Sequence, residues 1–207
     1  MARQLATAPQ TLAHVVFVMM DEYVVELEGR FVYAIAEDDT SCHAFAADEI
    51  VTPLTAGLTD SQRIREDFVW FPDPNDPSEY DQRIADAGGI DFFLVASGAG
   101  DGHVGFNPPG STLTSTTRVV ELSEQTRRDN LLTFPAYGTL EQVPRFGVTV
   151  GVGTIAAARE VVMVAWGEGK RETVRRMRSA RCYDANWPAT LIHECASGEI
   201  LVDAKAW

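Results

Sequence analysis

The stretch FFLVASGAGDGHVGFN, residues 92–107, joins a short apolar segment to a loop that is rich in glycine. Residues 92–97 have the length and nearly continuous apolarity of a strand that is buried on both faces, as in parallel sheets covered by helices. The glycines that follow let the backbone approach a ligand closely and adopt positive φ angles. The stretch therefore predicts an α/β sheet with a ligand-binding loop at the carboxyl end of one strand.

The rest of the chain continues this alternation of strand and helix. Apolar, β-branched runs predict further strands at residues 14–19, 146–150, 161–166 and 199–203. Periodic segments with capping residues predict helices at residues 40–54, 77–87, 123–132 and 168–179. The proline-containing residues 68–76 are predicted to form a loop or an edge piece. We therefore predict a single-domain, largely parallel, doubly wound (Rossmann-like) α/β sheet flanked by helices over residues 1–207.

Composition and charge exclude several classes of protein. The chain has 207 residues, of which 45% are hydrophobic and 23% charged, so it can bury a sizeable core. With 17 basic and 30 acidic residues its net charge is −13, which argues against binding to nucleic acid or to an anionic membrane. No apolar run reaches the roughly 18 residues of a membrane span, and the N-terminus lacks the apolar core of a signal peptide. We expect a cytoplasmic protein.

The cysteine, histidine and glycine spacings predict no metal and no redox cofactor. The 3 cysteines show no close paired spacing, and the 4 histidines form no pair on one helix face. The glycine-rich loop lacks the Gly-x-Gly-x-x-Gly spacing of dinucleotide-binding folds, which argues against a nicotinamide cofactor. Chemistry at this site is therefore expected to depend on amino-acid side chains alone.

Polar residues follow three of the predicted strands, and carboxyl ends of parallel strands share one edge of the sheet. Asp21 follows the first strand, where partial burial would raise the pKa of a carboxyl group towards the range useful for proton abstraction. Asp101 and His103 follow the second; a carboxylate beside an imidazole orients the ring and stabilises its protonated form. The alternatives are a helix cap or a solvated turn for Asp21, and a simple tight turn for the loop.

Two further groups are candidates for binding. Gly98, Gly100 and Gly102 would allow the loop backbone to contact a substrate closely. Lys170, at the start of a predicted helix, could pair with a phosphate that free backbone amides also hold. A solvated lysine on a basic helix face is the equally simple alternative for Lys170.

Taken together, several motifs resemble the glucosamine-6-phosphate deaminase family, whose broader relatives are the 6-phosphogluconolactonases. The motifs are MDEY (20–23), YDQRI (80–84), GAGDGHVGFNPPGS (98–111), TR (126–127), TVGVGT (149–154), GEGK (167–170) and ATLIH (189–193). Each motif is short, but their common order from residue 14 almost to the C-terminus makes the resemblance specific.

The resemblance implies an enzyme that opens the ring of an amino-sugar phosphate, moves a proton between C2 and C1, and releases ammonia. It assigns the C2/C1 proton transfer to Asp21 and assistance of ring opening to His103, held by Asp101. Lys170 would bind phosphate, with Arg127 or Arg128 as a substitute for a phosphate-binding arginine of the family. The family uses neither metal nor redox cofactor, binds a small sugar phosphate and includes oligomers, so a homo-oligomer is expected.

Three departures from the family pattern predict altered behaviour. Pro108 stands where the family has the glutamate of an Asp-His-Glu relay, and Leu131–Leu132 stand where it has the arginine. The family also begins with a strand, a helix and a second strand with a phosphate-binding loop, whereas only 13 residues precede the first strand predicted here. The chain is therefore expected to be N-terminally incomplete relative to the family.

Three other hypotheses follow from the same residues. The His103 loop could activate water in a lactonase of the 6-phosphogluconolactonase type. Pro108, Leu132 and the missing N-terminal loop are compatible with a non-catalytic sugar-phosphate sensor. An incomplete parallel sheet would also suit a subunit that a partner chain completes.

Overall fold

Three sheets organise the part of the chain that the computed structural model describes, residues 11–34 and 40–207. The strands, in chain order, are β1 (Phe17–Val18), β2 (Asp21–Leu27), β3 (Arg30–Tyr33), β4 (Val69–Trp70), β5 (Phe92–Ala96), β6 (Arg118–Glu121), β7 (Phe146–Thr149), β8 (Glu160–Ala165) and β9 (Gly198–Val202). The helices are α1 (Cys42–Phe45, continued by the π-helical Ala46–Val51 and by Thr52–Thr55), α2 (Pro77–Asp86), α3 (Glu124–Thr133), α4 (Val152–Ala156) and α5 (Arg171–Ser179). Short 3₁₀ segments are Asp60–Gln62, Glu66–Phe68, Pro135–Tyr137, Leu140–Gln142, Glu168–Lys170 and Pro188–His193.

Two of the sheets are parallel. β5, β8 and β9 lie side by side in that order, and β1 pairs with β4. Side chains alternate between the faces of a strand, and Phe93, Val161 and Met163 share a core with side chains of α2, α4 and α5. The opposite face of the same sheet carries Phe92 and Leu201, which remain 49% and 54% exposed.

The third sheet is antiparallel, in the order β3-β2-β7-β6. The β2–β3 hairpin turns through Glu28 and Gly29, whose φ angles of 52° and 77° suit the tight turns that join twisted strands. A small separate core of Tyr23, Phe106 and Leu122 packs against this sheet.

The predicted α/β class is confirmed, but two details of the sheet prediction are wrong, and β2, β3 and β6 were not predicted. Residues 146–150 were expected in the parallel sheet, whereas β7 pairs antiparallel with β2 and β6. The sequence pattern misleads because the Phe106 ring covers Gly147 so closely that an added Cβ would lie 2.3 Å from it. An antiparallel strand covered on both faces therefore has the apolar pattern of a parallel one. The strand predicted at residues 14–19 contracts to β1.

The helices begin where the sequence places capping side chains. Ser41, Asp76 and Ser123 each accept a hydrogen bond from a backbone N–H in the first turn of α1, α2 and α3. Each observed boundary lies close to the predicted one, within the usual scatter of helix ends. Within the described ranges, no helix is long and apolar enough to cross a membrane.

Candidate active site

Asp21 is the first residue of β2, opposite Thr149 of β7. Burial raises the pKa of its carboxyl group from 3.8 to about 7. The nearby charge of Glu22 also raises this pKa, whereas a hydrogen bond from the Cys42 thiol lowers it. The Cys42 Sγ lies 3.5 Å from Asp21 Oδ1. A carboxyl group with a near-neutral pKa is present in both protonation states at physiological pH, so it can accept a proton and return it. Asp21 is a strand residue and caps none of the helices described above.

Glu22 serves the structure of this region. Its side chain is 1% exposed, and its oxygens accept hydrogen bonds from the backbone N–H groups of Tyr23, Cys42 and His43. The His43 ring lies 2.6 Å from the same carboxylate. Glu22 therefore fixes the N-terminus of α1 to β2 and holds Cys42 beside Asp21.

The glycine-rich loop brings Asp101 and His103 together. Gly98 N–H donates to the His103 carbonyl oxygen over 2.8 Å, which closes the loop. Asp101 Oδ1 lies 2.7 Å from His103 Nδ1 and also accepts the His103 backbone N–H. The His103 side chain is 11% exposed, so contacts on most sides fix the orientation of its ring.

Helix α3 supports this pair from its first turn. Ser123 Oγ donates to Asp101 Oδ2 over 3.0 Å, and Thr126 Oγ1 lies 3.2 Å from His103 Nδ1. Burial alone would raise the pKa of Asp101, but the hydrogen bonds from His103 and Ser123 hold it below its ordinary value. Asp101 therefore remains ionised and can stabilise a protonated imidazole.

Asp21 lies against the same loop. A Cβ added to Gly105 would come within 3.2 Å of Asp21 Oδ2 and 3.0 Å of Thr149 Oγ1. Gly105 follows His103 by two positions and has a φ angle of 56°. The loop and the start of β2 thus bring the Asp21 carboxyl group and the Asp101–His103 pair to one region of the molecule.

The three predicted binding glycines shape the loop through close packing. A Cβ on Gly98 would lie 2.2 Å from His103 Nδ1, and one on Gly100 would lie 2.8 Å from the Gln125 side chain. On Gly102, which has a positive φ of 69°, a Cβ would meet the Trp187 indole at 2.5 Å. Whether their backbone also contacts a substrate stays a prediction.

Lys170 reaches the end of β5, where its ammonium group donates to the Ser97 carbonyl oxygen. Burial lowers its pKa, and the charges of Asp129 and Asp101 act in the opposite direction. Thr173 on α5 anchors the neighbouring loop by donating to the Gly98 carbonyl over 2.8 Å. Lys170 therefore lies beside the glycine-rich loop, near Asp101 and Asp129. It is not a fully solvated lysine on the surface of a helix.

Arg127 has a different set of contacts from the one expected for a phosphate ligand. Its guanidinium group donates to the carbonyl oxygens of Leu140 and Val143, which ties α3 to the 3₁₀ segment Leu140–Gln142. The neighbouring Thr126 is the member of this motif that contacts His103. The structure thus places Arg127 outside the cluster formed by Asp101, His103 and Lys170.

Asp129 is a residue that the sequence analysis missed. Asp101, His103 and Asp129 each offer a donor atom within 4.8 Å of the other two, and in the described part of the chain they are the one such group able to hold a metal ion. The nearby Lys170 supplies a competing positive charge. Ser123, Thr126 and Asp129 occur at positions i, i+3 and i+6, a helical spacing that, together with the loop, could have pointed to them.

A separate groove of about 660 Å³ lies beside the small aromatic core. Its lining includes Tyr23, Tyr137 and Phe146, but none of Asp21, His103 or Lys170. Because the titratable groups with catalytic geometry are elsewhere, we place the candidate site at the loop and at the start of β2.

Comparisons with known proteins agree with the motifs at this site. No family model matches the chain. A glucosamine-6-phosphate deaminase of Shouchella clausii is 33% identical over 203 residues, which cover 95% of this chain and 74% of that protein. The deaminase of Rhodococcus opacus is 42% identical over 154 residues, so the chain spans only 58% of that relative's length.

Solved structures share the fold. A protein described as a monomeric glucosamine-6-phosphate deaminase superposes with a TM-score of 0.81 at 26% identity, covering 99% of this chain and 80% of its own. A 6-phosphogluconolactonase from Leishmania guyanensis gives a TM-score of 0.65 at 17% identity, covering 99% and 79%, and supports the fold alone. On the similarity to the Shouchella protein over nearly the whole chain, the protein belongs to the glucosamine-6-phosphate deaminase family.

Proposed function

We propose that the protein is an aldose–ketose isomerase and deaminase that converts glucosamine 6-phosphate, or a close analogue, and water into fructose 6-phosphate and ammonia. The carrying observation is the Asp21 carboxyl group, which has a pKa of about 7 and lies against the loop that holds Asp101 and His103. The names of the relatives support the same chemistry.

The first step opens the pyranose ring. The bond between C1 and the ring oxygen breaks, its electron pair goes to the ring oxygen, and the proton of the C1 hydroxyl group moves to that oxygen as the aldehyde forms. His103 carries this proton. Ionised Asp101 holds the imidazole ring of His103 in place and stabilises the positive charge that the imidazole gains.

The second step moves a proton from C2 to C1. Asp21 takes the C2 proton, the C2–H electron pair forms a C1–C2 double bond, and the carbonyl electron pair moves to O1, which gains a proton. The same carboxylic acid then returns a proton to C1 as the nitrogen electron pair forms a C2–N double bond and the nitrogen loses a proton. The product is the imine of a ketose, to which water adds before ammonia leaves. Neither step requires an electron acceptor.

Lys170 is the proposed phosphate ligand. Its half-buried ammonium group at the end of β5 is less hydrated than a surface lysine, which strengthens pairing with an anion. Lys170→Met should therefore raise KM for the sugar phosphate more than it lowers kcat.

The experiment is an ammonia-release assay with glucosamine 6-phosphate, run beside hydrolysis of 6-phosphogluconolactone. We expect ammonia release that Asp21→Asn lowers by about 1,000-fold or more, since the variant lacks the proton-transfer group. Asp60→Asn, which changes a carboxylate that is 99% exposed, is the matched control. Lactone hydrolysis without ammonia release would favour the lactonase alternative, and sugar-phosphate binding without turnover of either substrate would favour a sensor.

We further propose a cytoplasmic location and self-association. Support for self-association comes from the apolar sheet face around Phe92 and Leu201, because parallel sheets are normally covered on both faces. The similar deaminase structure is described as monomeric, so sedimentation of the purified protein decides between the two states.

A further inference from the structure

Helix α3 presents one face to the glycine-rich loop. Ser123 and Thr126 on this face contact Asp101 and His103. Asp129 follows Thr126 by one helical turn, so its side chain projects from the same face. A carboxylate oxygen of Asp129 lies within 4.8 Å of donor atoms of both Asp101 and His103.

The two oxygens of Asp129 have different surroundings. Oδ1 accepts a hydrogen bond from Gln125 Nε2 over 2.9 Å. Oδ2 is shielded from solvent and has no hydrogen-bond partner among the residues that the structure describes. A shielded carboxylate oxygen without a donor costs free energy, and such groups are kept chiefly where function uses them.

Two carboxylates therefore lie close to the imidazole of His103. Asp101 holds Nδ1, and Asp129 adds a second negative charge to the same cluster. Pro108, which follows His103 by five positions, has no side-chain group that could accept or stabilise a proton.

We propose that Asp129 is a positioning residue for ring opening: its carboxylate stabilises protonated His103 and replaces the relay carboxylate that Pro108 does not supply. This inference rests on the proposed function. The proton still moves between the C1 hydroxyl group and the ring oxygen through His103, and Asp129 itself neither gains nor loses a covalent bond.

A competing role for Asp129 acts through Lys170. The Asp129 charge opposes the lowering of the Lys170 pKa by burial, so the two groups lie within electrostatic reach. If Asp129 served mainly to balance the charge of Lys170, its removal would change KM for the sugar phosphate and leave kcat unchanged.

The test compares Asp129→Asn, Asp129→Glu and the control Glu124→Gln, which removes an exposed carboxylate from the same helix. With glucosamine 6-phosphate, we expect Asp129→Asn to lower kcat by about 10- to 100-fold, with little change in KM and an altered pH dependence of kcat. Asp129→Glu should recover part of the loss, and Glu124→Gln should behave like the unchanged protein. Thermal unfolding of each variant confirms that it is folded.

A second measurement separates ring opening from the later proton transfer. Fructose 6-phosphate and ammonia in deuterated water exchange the C1 proton through Asp21 without closing the pyranose ring. Asp129→Asn should therefore slow net turnover much more than this exchange, whereas Asp21→Asn should abolish both.

The outcomes keep the two proposals apart. An active protein in which Asp129→Asn changes only KM, or slows exchange and turnover equally, would overturn the role of Asp129 and leave the proposed function intact. If the unchanged protein releases no ammonia and exchanges no proton, the proposed function fails and the role of Asp129 fails with it.

Discussion

The Asp21 carboxyl group should set the lower pH limit of activity. It must be ionised to take the C2 proton, and burial raises its pKa to about 7. We expect kcat/KM to fall about tenfold for each pH unit below that value. Cys42→Ala removes the hydrogen bond that lowers this pKa, so the acidic limb of the pH profile should move to higher pH. An unmoved limb in the variant would show that the thiol does not act on Asp21.

The same group should cost stability near neutral pH. The folded-state pKa of Asp21 is raised above the unfolded value of 3.8, so folding binds this proton more tightly. The contribution of Asp21 to the free energy of unfolding is therefore most favourable below pH 3.8 and is lost as the pH rises towards about 7. Asp21→Asn should raise the free energy of unfolding at about pH 8 by on the order of 1–3 kcal/mol, with a much smaller effect at about pH 4. Urea titrations at the two pH values measure this, and an equal gain at both would contradict it.

Individual side chains at the site were predictable to different degrees. Asp21, Asp101, His103 and Lys170 follow strands, and the structure brings them to one region because strand ends place them there. Asp129 was not predictable in the same way, since only the packing of α3 against a loop distant in sequence brings its carboxylate close to Asp101 and His103.

At the scale of secondary-structure elements, the loop between β5 and β6 depends on the absence of a side chain at Gly98. A Cβ there would lie 2.2 Å from His103 Nδ1, a separation that ordinary packing does not allow. Gly98→Ala should displace the ring and lower kcat by about 100-fold or more, because general acid–base catalysis requires hydrogen-bond distances. Gly169→Ala is the control, since a Cβ there meets no atom within 4 Å. Equal activity of the two variants would show that the loop can accommodate a side chain at position 98 without a loss of activity.

Four of the five helices described above could be predicted closely, whereas α4 was not predicted and the sheets were predicted less well. Capping residues such as Ser41, Asp76 and Ser123 are local features, so they locate helix starts from sequence alone. The pairing of β2 with β7 joins residues far apart in the chain, and nothing in the local apolar pattern of 146–150 distinguishes its antiparallel partners from parallel ones.

At the scale of the whole molecule, the open face of the β5-β8-β9 sheet makes a prediction about association. Phe92 and Leu201 lie on this face and are half exposed. Leu201→Lys should weaken self-association by about tenfold, because a charged amine cannot be buried cheaply in an apolar contact. Leu27→Lys, at an exposed apolar position on β2 of the antiparallel sheet, is the control. Sedimentation equilibrium of both variants gives the dissociation constants, and a monomeric parent protein at all concentrations would contradict the prediction.

Asp21 and Glu22 are neighbouring acidic residues with different contacts. Asp21 lies against Gly105 of the glycine-rich loop, and Glu22 accepts a hydrogen bond from the backbone at the start of α1. The two sets of contacts differ because of the pleat of β2, since successive side chains leave a strand in opposite directions. Inserting one residue just before this strand would move Asp21 into the place of Glu22, and deleting one would move Glu22 into the place of Asp21. Either change would leave one of the two places without a carboxylate. Indels at this junction are therefore a more severe change than most substitutions within it.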